Sequence, residues 1–544
     1  MDFSKDDHTP FVATERRHRL RLWVRVTEGG ASYLHFYWRR IFVLLGLLAV
    51  AGWLSAATAA WAFVKYRRGY DNASWLNVAF YPVRREQYRT GLGQHYVAQG
   101  QIELAKQNYA TGYSFLLAGL TRIPNDLPTR RLVAITQARL GRPDLSARTL
   151  ADGAEFGAAD TSYLKLMFGF MIEAREDELA LAVTDRLLPA QPDTSLTHQY
   201  IALQAATINF QLGRFDETER IIFSWRLENT VEGLVLLARG HWERGETQLA
   251  LNRIESQFAR FNKFDEIYIQ LIRFHRTLGN FDESRRYALL RSFNKPDIPG
   301  PRIDLLHSFR QSGDAPAQEK EVATFLAQFA TDERALLLLA QFAAETGQPA
   351  LADRVADTAT AQGFSPLTFT LARAQARLAA QDYRGALELA DATLRATGAE
   401  ENPRVITLLH GVRAGALAGT RDPGRTATAL DTFLSRPGLR VTDVLHVAAE
   451  LKRQGALPQA RLALERAHRL DPLHQAAITE LVRLDAETSN RPGLAEGTQK
   501  LLALRRPSRA VLEEALLRLD RPEDADLREQ IRATLAKTPA TSTR

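Results

Sequence analysis

Three pairs of side chains carry the sharpest chemical signal in this sequence. Arg239 and Trp242, Arg273 and Arg276, and His307 and Arg310 stand six and three residues before Gly245, Gly279 and Gly313. Residues three apart share one face of a helix. Each pair therefore presents cationic or aromatic groups in one direction, and the offset recurs in three consecutive segments. Guanidinium groups hold carboxylates and other anions through forked, charge-assisted hydrogen bonds. Such a row suits a carboxylate-rich peptide or an anionic glycan. Arginine-rich helix faces also serve simply as solvated surface, so both readings stand at this point. The next two segments place Gln341 with Ala344, and Gln375 with Leu378, at the same offsets.

Catalytic chemistry finds no comparable foothold. There is no histidine pair at metalloprotease spacing, no phosphate-cradling glycine loop and no serine nucleophile elbow. His241, His275 and His307 fall in successive segments, but lone histidines on helices belong mostly to surface or core. The chain contains no cysteine, which excludes disulfides, thiolate metal sites and cysteine nucleophiles. Its formal net charge of +7 comes from arginine, with only ten lysines. No basic stripe with a nucleic-acid motif accompanies it. We expect no enzyme activity, no cofactor, no metal and no nucleic-acid partner.

The elements that must position these side chains repeat. Taking one turn position per segment gives Gly100, Gly141, Arg175, Gly213, Gly245, Gly279, Gly313, Gly347, Gln381, Thr420, Gly455 and Asn490, mostly 34 or 35 residues apart. In Leu278-Gly279-Asn280-Phe281-Asp282-Glu283-Ser284, closed by Pro296, a helix ends, the chain turns, a second helix begins and a proline stops it. A glycine turns at little steric cost, a small residue five later lets two helices cross closely, and proline cannot continue a helix. A sustained period of this size marks a helical solenoid.

These segments resemble tetratricopeptide repeats, helix-turn-helix units of about 34 residues. Leu92, Gly93, Tyr96, Gly100, Ala105 and Tyr109 match six of that family's marked positions in order; Gly455, Ala460, Ala467 and Pro472 match its second half. The resemblance runs over residues 84–510 and loosens at Arg175, where arginine takes the glycine position, and near Thr420 and Asn490. It implies an all-α, right-handed α-solenoid of about eleven to twelve helix pairs. It also implies a concave wall of first helices, on which the three cationic pairs would lie and grip a protein partner. The asparagine and lysine clamp by which some family members hold a C-terminal carboxylate is not present. Phe210, Leu271, Phe274, Leu337, Leu339 and Leu445 are expected at or near the packing between helices.

Ahead of the array, residues 41–64 form 24 residues without a charge, about 36 Å of helix at ~1.5 Å per residue and enough to cross a bilayer. Aromatic and basic belts flank it, Tyr33 to Arg40 before and Trp61 to Arg68 after, as suits headgroup layers. Arg19 to Val26 alternates charged and apolar residues and reads as a short strand or a membrane-surface segment. Arg21, Arg25, Arg39 and Arg40 nearly balance Lys65, Arg67, Arg68, Arg84 and Arg85; Arg16, Arg17 and Arg19 tip the N-terminus toward the cytoplasm. Small residues recur every four along the span, at Ala51, Ser55 and Ala59 and at Gly52, Ala56 and Ala60, and would permit a homo-oligomer.

The expected organisation is a basic segment 1–40, a transmembrane helix 41–64, a linker 65–83, a tetratricopeptide-like solenoid 84–510, capping helices 511–537 and a disordered tail 538–544. The expected function is a single-pass scaffold in a bacterial inner membrane, its solenoid extracytoplasmic, within an envelope assembly of secretion, pilus or exopolysaccharide type. The alternative is a subunit of a polysaccharide-handling enzyme complex whose groove binds an anionic glycan.

Overall fold

The computed structural model describes residues 22–28, 31–396 and 402–537. Arg16, Arg17, Arg19 and Arg21, and the tail 538–544, lie outside them. The chain divides into two compact units, Met1–Leu187 and Leu188–Arg544.

The first unit opens on an antiparallel hairpin, β1 (Trp23–Glu28) and β2 (Ala31–Phe36), with Trp23 opposite Phe36 and Glu28 opposite Ala31. The hairpin leads straight into α1 (Trp38–Ala62), which continues through a wider turn to Arg67. Trp38–Arg67 is 30 residues of helix, long and apolar enough to cross a membrane. Only Ala57 of α1 is buried, because the chain doubles back there. α2 (Trp75–Ala79) lies at the foot of α1, where Trp75 Nε1 donates to Thr58 Oγ1 at 3.1 Å and Trp61 Nε1 donates to the Ala73 carbonyl at 2.8 Å. The stretch expected as a linker, 65–83, thus carries a short helix tied to the end of α1.

The first helix pair corrects the expected turn at Gly100. α3 (Tyr81–Ala105) runs through that glycine, and the chain reverses at Gln107 before α4 (Tyr109–Leu120). Gly100 serves a close helix crossing instead. A Cβ there would stand 2.7 Å from Leu116 Cγ and 3.0 Å from the Gly112 carbonyl, and one at Gly119 would stand 3.0 Å from the Gly93 carbonyl. Glycines from both helices therefore form one seam, at which backbone meets backbone.

From Gln107 onward one local device repeats. A left-handed residue follows a first helix at 107, 141, 175, 213, 245, 279, 313, 347, 381, 421, 455 and 489, at intervals of 34, 34, 38, 32, 34, 34, 34, 34, 40, 34 and 34. The amide after it donates to the carbonyl five residues back, as from Arg214 to Asn209 at 2.8 Å and from Asn280 to His275 at 2.9 Å. This is the Schellman closure, which satisfies carbonyls left open by the ended helix. Two expected turns move by one residue: Arg421 rather than Thr420, and Ser489 rather than Asn490, take the left-handed conformation.

The small residue five positions later explains itself in three dimensions. Ser146, Thr218 and Ser284 are buried, and each hydroxyl donates to a carbonyl of its first helix twelve residues back, at Ala134, Ala206 and Ile272. At Ala180, Ala250, Ala352, Ala386 and Ala460 the same site is filled by a buried methyl. Apart from the hairpin, the described fold is all-α, a series of stacked helix pairs.

Within the second unit the core runs across successive pairs. One cluster joins Leu306, Phe325, Phe342, Val355 and Phe369, contributed by three consecutive pairs. Burying each phenylalanine contributes about 1.5–3 kcal/mol, and no pair can make that burial alone. Phe210, Leu271, Phe274 and Leu339 are buried as expected, while Leu337 and Leu445 pack at the margins of such clusters.

Candidate functional site

Stacking aligns the first helices side by side. Four of them, Glu333–Glu345, Pro366–Ala379, Pro403–Gly419 and Val441–Arg453, line one groove of about 910 Å³ in the second unit. Its floor is apolar, with Leu337, Leu371, Leu408, Val412 and Val447. Gly411 lets the floor close up, since a Cβ there would meet Val447 Cγ2 at 2.7 Å. The rim is polar and largely paired within itself. Arg404 bridges Asp443 at 3.0 Å, Arg453 bridges Glu450 at 2.6 Å, and Gln341 donates to Glu345 at 2.7 Å. An apolar floor with a polar rim can bury apolar side chains of a bound molecule. Gln341, Ala344, Gln375 and Leu378 all line the groove, on two of its four helices.

The three cationic pairs sit in the preceding helix pairs, in differing states. Arg239 is half-buried, with its guanidinium 4.8 Å from the centre of the Phe210 ring. Burial pushes its pKa below the usual range, and the positive charges of Arg273 and Arg506 push the same way. Trp242 is stacked flat on Phe274, ring centres 4.0 Å apart, and serves the core as much as the wall. Arg273 is exposed. Neither Arg239 nor Arg273 has a carboxylate within ion-pair distance among the described residues. Arg276 reaches Asp304 at 3.4 Å. His307 meets the Phe342 ring edge-on at 4.8 Å, and burial, then the Arg276 charge, lowers its pKa. Arg310 is exposed and approaches the Thr346 carbonyl at 3.5 Å.

The fold therefore separates four of the six into two groups. Arg239 and Arg273 form a basic spot without a direct ion pair, in which the Glu243 charge acts on Arg239 against that of Arg273 and Arg506. Arg276 instead pairs with Asp304, and His307 lies in the field of Asp304 and Glu345. A third arginine joins the first group from far along the chain. Arg506 pairs with Glu243 and lies over the rings of Phe215 at 4.8 Å and Phe210 at 5.7 Å. Its neighbour Arg505 donates to Gln211 at 3.4 Å. Both stand in the connection between the helices Arg491–Leu502 and Arg509–Arg518. Nothing local in the sequence signals this approach, because 263 residues separate Arg506 from Glu243.

His241 and His275 have packing partners. His241 Nδ1 lies 2.7 Å from Glu246, and His275 Nε2 lies 3.2 Å from Glu255 while its ring stacks on Tyr287. Among the described residues no group of three or more histidine, aspartate or glutamate side chains could hold a metal ion.

No family model matches the sequence, and no curated protein does. Among solved structures, the Naa15/Naa10 complex bound to HypK-THB is similar at 14% identity and a TM-score of 0.31, over 90% of this chain and 75% of that one. Yeast Tom70 is similar at 12% identity and 0.33, over 79% and 99%. The APC/C hetero-tetramer Cut9-Hcn1 is similar at 12% and 0.23, over 74% and 97%.

Proposed function

We propose that this chain is a membrane-anchored scaffold that binds protein partners along the wall of its first helices. The observation that carries the reading is the groove of about 910 Å³ spanning four consecutive helix pairs, apolar below and self-neutralised at its rim. Such a surface discriminates by shape and apolar anchors more than by charge. The Arg239–Arg273 spot supplies the complementary feature, cations without a direct ion pair, and selects an acidic stretch of the same partner. Anchoring is supported by α1, the arginine balance tips toward an extracytoplasmic array, and a bacterial envelope assembly is the setting we propose for it.

The test uses photo-crosslinking side chains placed at Leu371 and Val412 in the groove, and at Leu462 on the exposed second-helix face, in native membranes. Protein adducts from the first two positions and none from Leu462 are the expected result. Adducts from no groove position, or equal yields from Leu462, would overturn the reading. Reversing Arg239 and Arg273 to glutamate should abolish recovery of an acidic partner; undiminished recovery removes the charge component alone. The basic spot also suits an anionic glycan. Direct binding of a uronic-acid oligosaccharide, lost in the same double variant, would favour that second reading.

A further inference from the structure

The hairpin at the start of the described residues has one face whose large apolar side chains stand exposed. The register sets Trp23 opposite Phe36 and Arg25 opposite Leu34, and directly opposed residues point to the same side of a sheet. Trp23, Leu34 and Phe36 are 56%, 53% and 41% exposed. A lone two-stranded hairpin is at best marginally stable in water, and one that turns three large apolar groups outward is worse placed still.

What lies next to that face decides its occupant. Phe36 is followed by Trp38 at 5.8 Å between ring centres, and Trp38 by Phe42 at 6.0 Å. Aromatic contact thus runs unbroken from the sheet face onto α1. The Tyr37 amide donates to the Leu22 carbonyl at 3.0 Å, fastening the base of the hairpin to the start of the helix. Arg40 lies 4.5 Å from the centre of the Tyr37 ring, and Arg25 and Arg39 are exposed. Tryptophan, tyrosine and arginine beside an apolar helix are the groups that partition into the headgroup layer, the rings through their amphipathic bodies and the cations toward anionic lipid.

We propose that the hairpin lies on the membrane surface as a second lipid contact beside the span, its Trp23–Leu34–Phe36 face seated in the headgroup layer. The proposal rests on α1 crossing a bilayer. It adds a membrane-parallel foot that fixes how α1 enters the lipid, where an apolar helix alone would be free to tilt and rotate.

The absence of cysteine makes the test direct. Leu34→Cys, Phe36→Cys, Leu47→Cys and Leu462→Cys, each in the full chain, are labelled with an environment-sensitive fluorophore. The proteins are then reconstituted in vesicles of phosphatidylcholine and phosphatidylglycerol. Quenching by nitroxide lipids, spin-labelled near the headgroup or deep in the acyl chain, is compared with quenching by aqueous iodide. Positions 34 and 36 should show a blue shift and lose more intensity to the shallow nitroxide than to the deep one. Position 47 should respond to the deep nitroxide, and position 462 to iodide alone. Iodide quenching at 34 and 36 with position 47 still in lipid would overturn the hairpin proposal and leave the span intact. Protection of 34 and 36 from both iodide and lipid nitroxides would assign the face to protein, a second copy or a partner, and equally overturn it. Failure at position 47 would instead sink the span itself.

Discussion

Arg291 offers the most quantitative test of how the helix pairs are held in register. It projects from the helix Phe281–Asn294 and is buried. Its Nε donates to Asp265 Oδ1 at 2.8 Å and its Nη2 to Asp265 Oδ2 at 2.5 Å, while Nη1 donates to Asp304 of the next pair. One guanidinium thus joins three helices. Hydrogen bonds from Arg291 hold the Asp265 carboxyl below the usual carboxylate range, against the opposing effect of burial. Arg291→Met removes the cation and leaves two carboxylates facing each other. Deleting one member of a buried pair costs about 3–5 kcal/mol, because the survivor keeps its desolvation penalty. Asp304 retains Arg276 at 3.4 Å, which places the expected loss near the lower end, at about 3 kcal/mol. Repeat arrays open regionally, so the assay is native-state hydrogen exchange on peptides from 265–312. At 1.4 kcal/mol per tenfold, exchange there should accelerate roughly a hundredfold. The sign with pH follows from the lowered pKa. The contribution is complete above the unfolded carboxylate value near ~4 and is lost as pH falls through the lower folded value. The gap between Arg291→Met and the native chain should therefore shrink in acid, and Asp265→Asn in the variant background should recover part of the loss at neutral pH. Exchange within threefold of the native rate, or a gap that does not change with pH, would refute the reasoning.

Gly100→Ala should loosen the α3–α4 seam by about 1–3 kcal/mol through overpacking against Leu116 and the Gly112 carbonyl, read as faster exchange in 81–120. An unchanged rate would mean the seam yields. Arg175 adopts φ 57 at a turn position that glycine fills in seven of the twelve pairs, so Arg175→Gly should relieve about 1 kcal/mol of left-handed strain and raise the local melting temperature. Arg506→Glu sets like charge against Glu243 and removes the stack on Phe210 and Phe215. Limited proteolysis should then cut within 503–508 while the groove helices stay protected, and unaltered resistance would show that this contact holds nothing.

The period was legible because its cause is local. A left-handed residue, a short polar turn and a buried small residue follow from a few neighbouring side chains, and the sequence writes them out at Gly213, Gly279 and Gly455. Where the left-handed residue is not glycine the signal weakens, and the turns near Thr420 and Asn490 were displaced by one. Gly100 shows a second ambiguity. A glycine marks either a backbone that must turn or one that must approach another backbone closely, and α3 uses it for the second purpose. The six-and-three offset placed Gln341, Ala344, Gln375 and Leu378 among the residues that line the groove, on two of its four helices.

By itself, then, the sequence determined the helix pairs, the long apolar helix and the missing thiol chemistry. All of these depend on side chains within one or two helical turns of each other. Tertiary structure alone decided which arginines are neutralised, that Trp242 is engaged by Phe274, and that Arg506 arrives beside Glu243 and Arg239. Charge pairing depends on distance in space, and no spacing along the chain encodes a meeting between groups more than 250 residues apart.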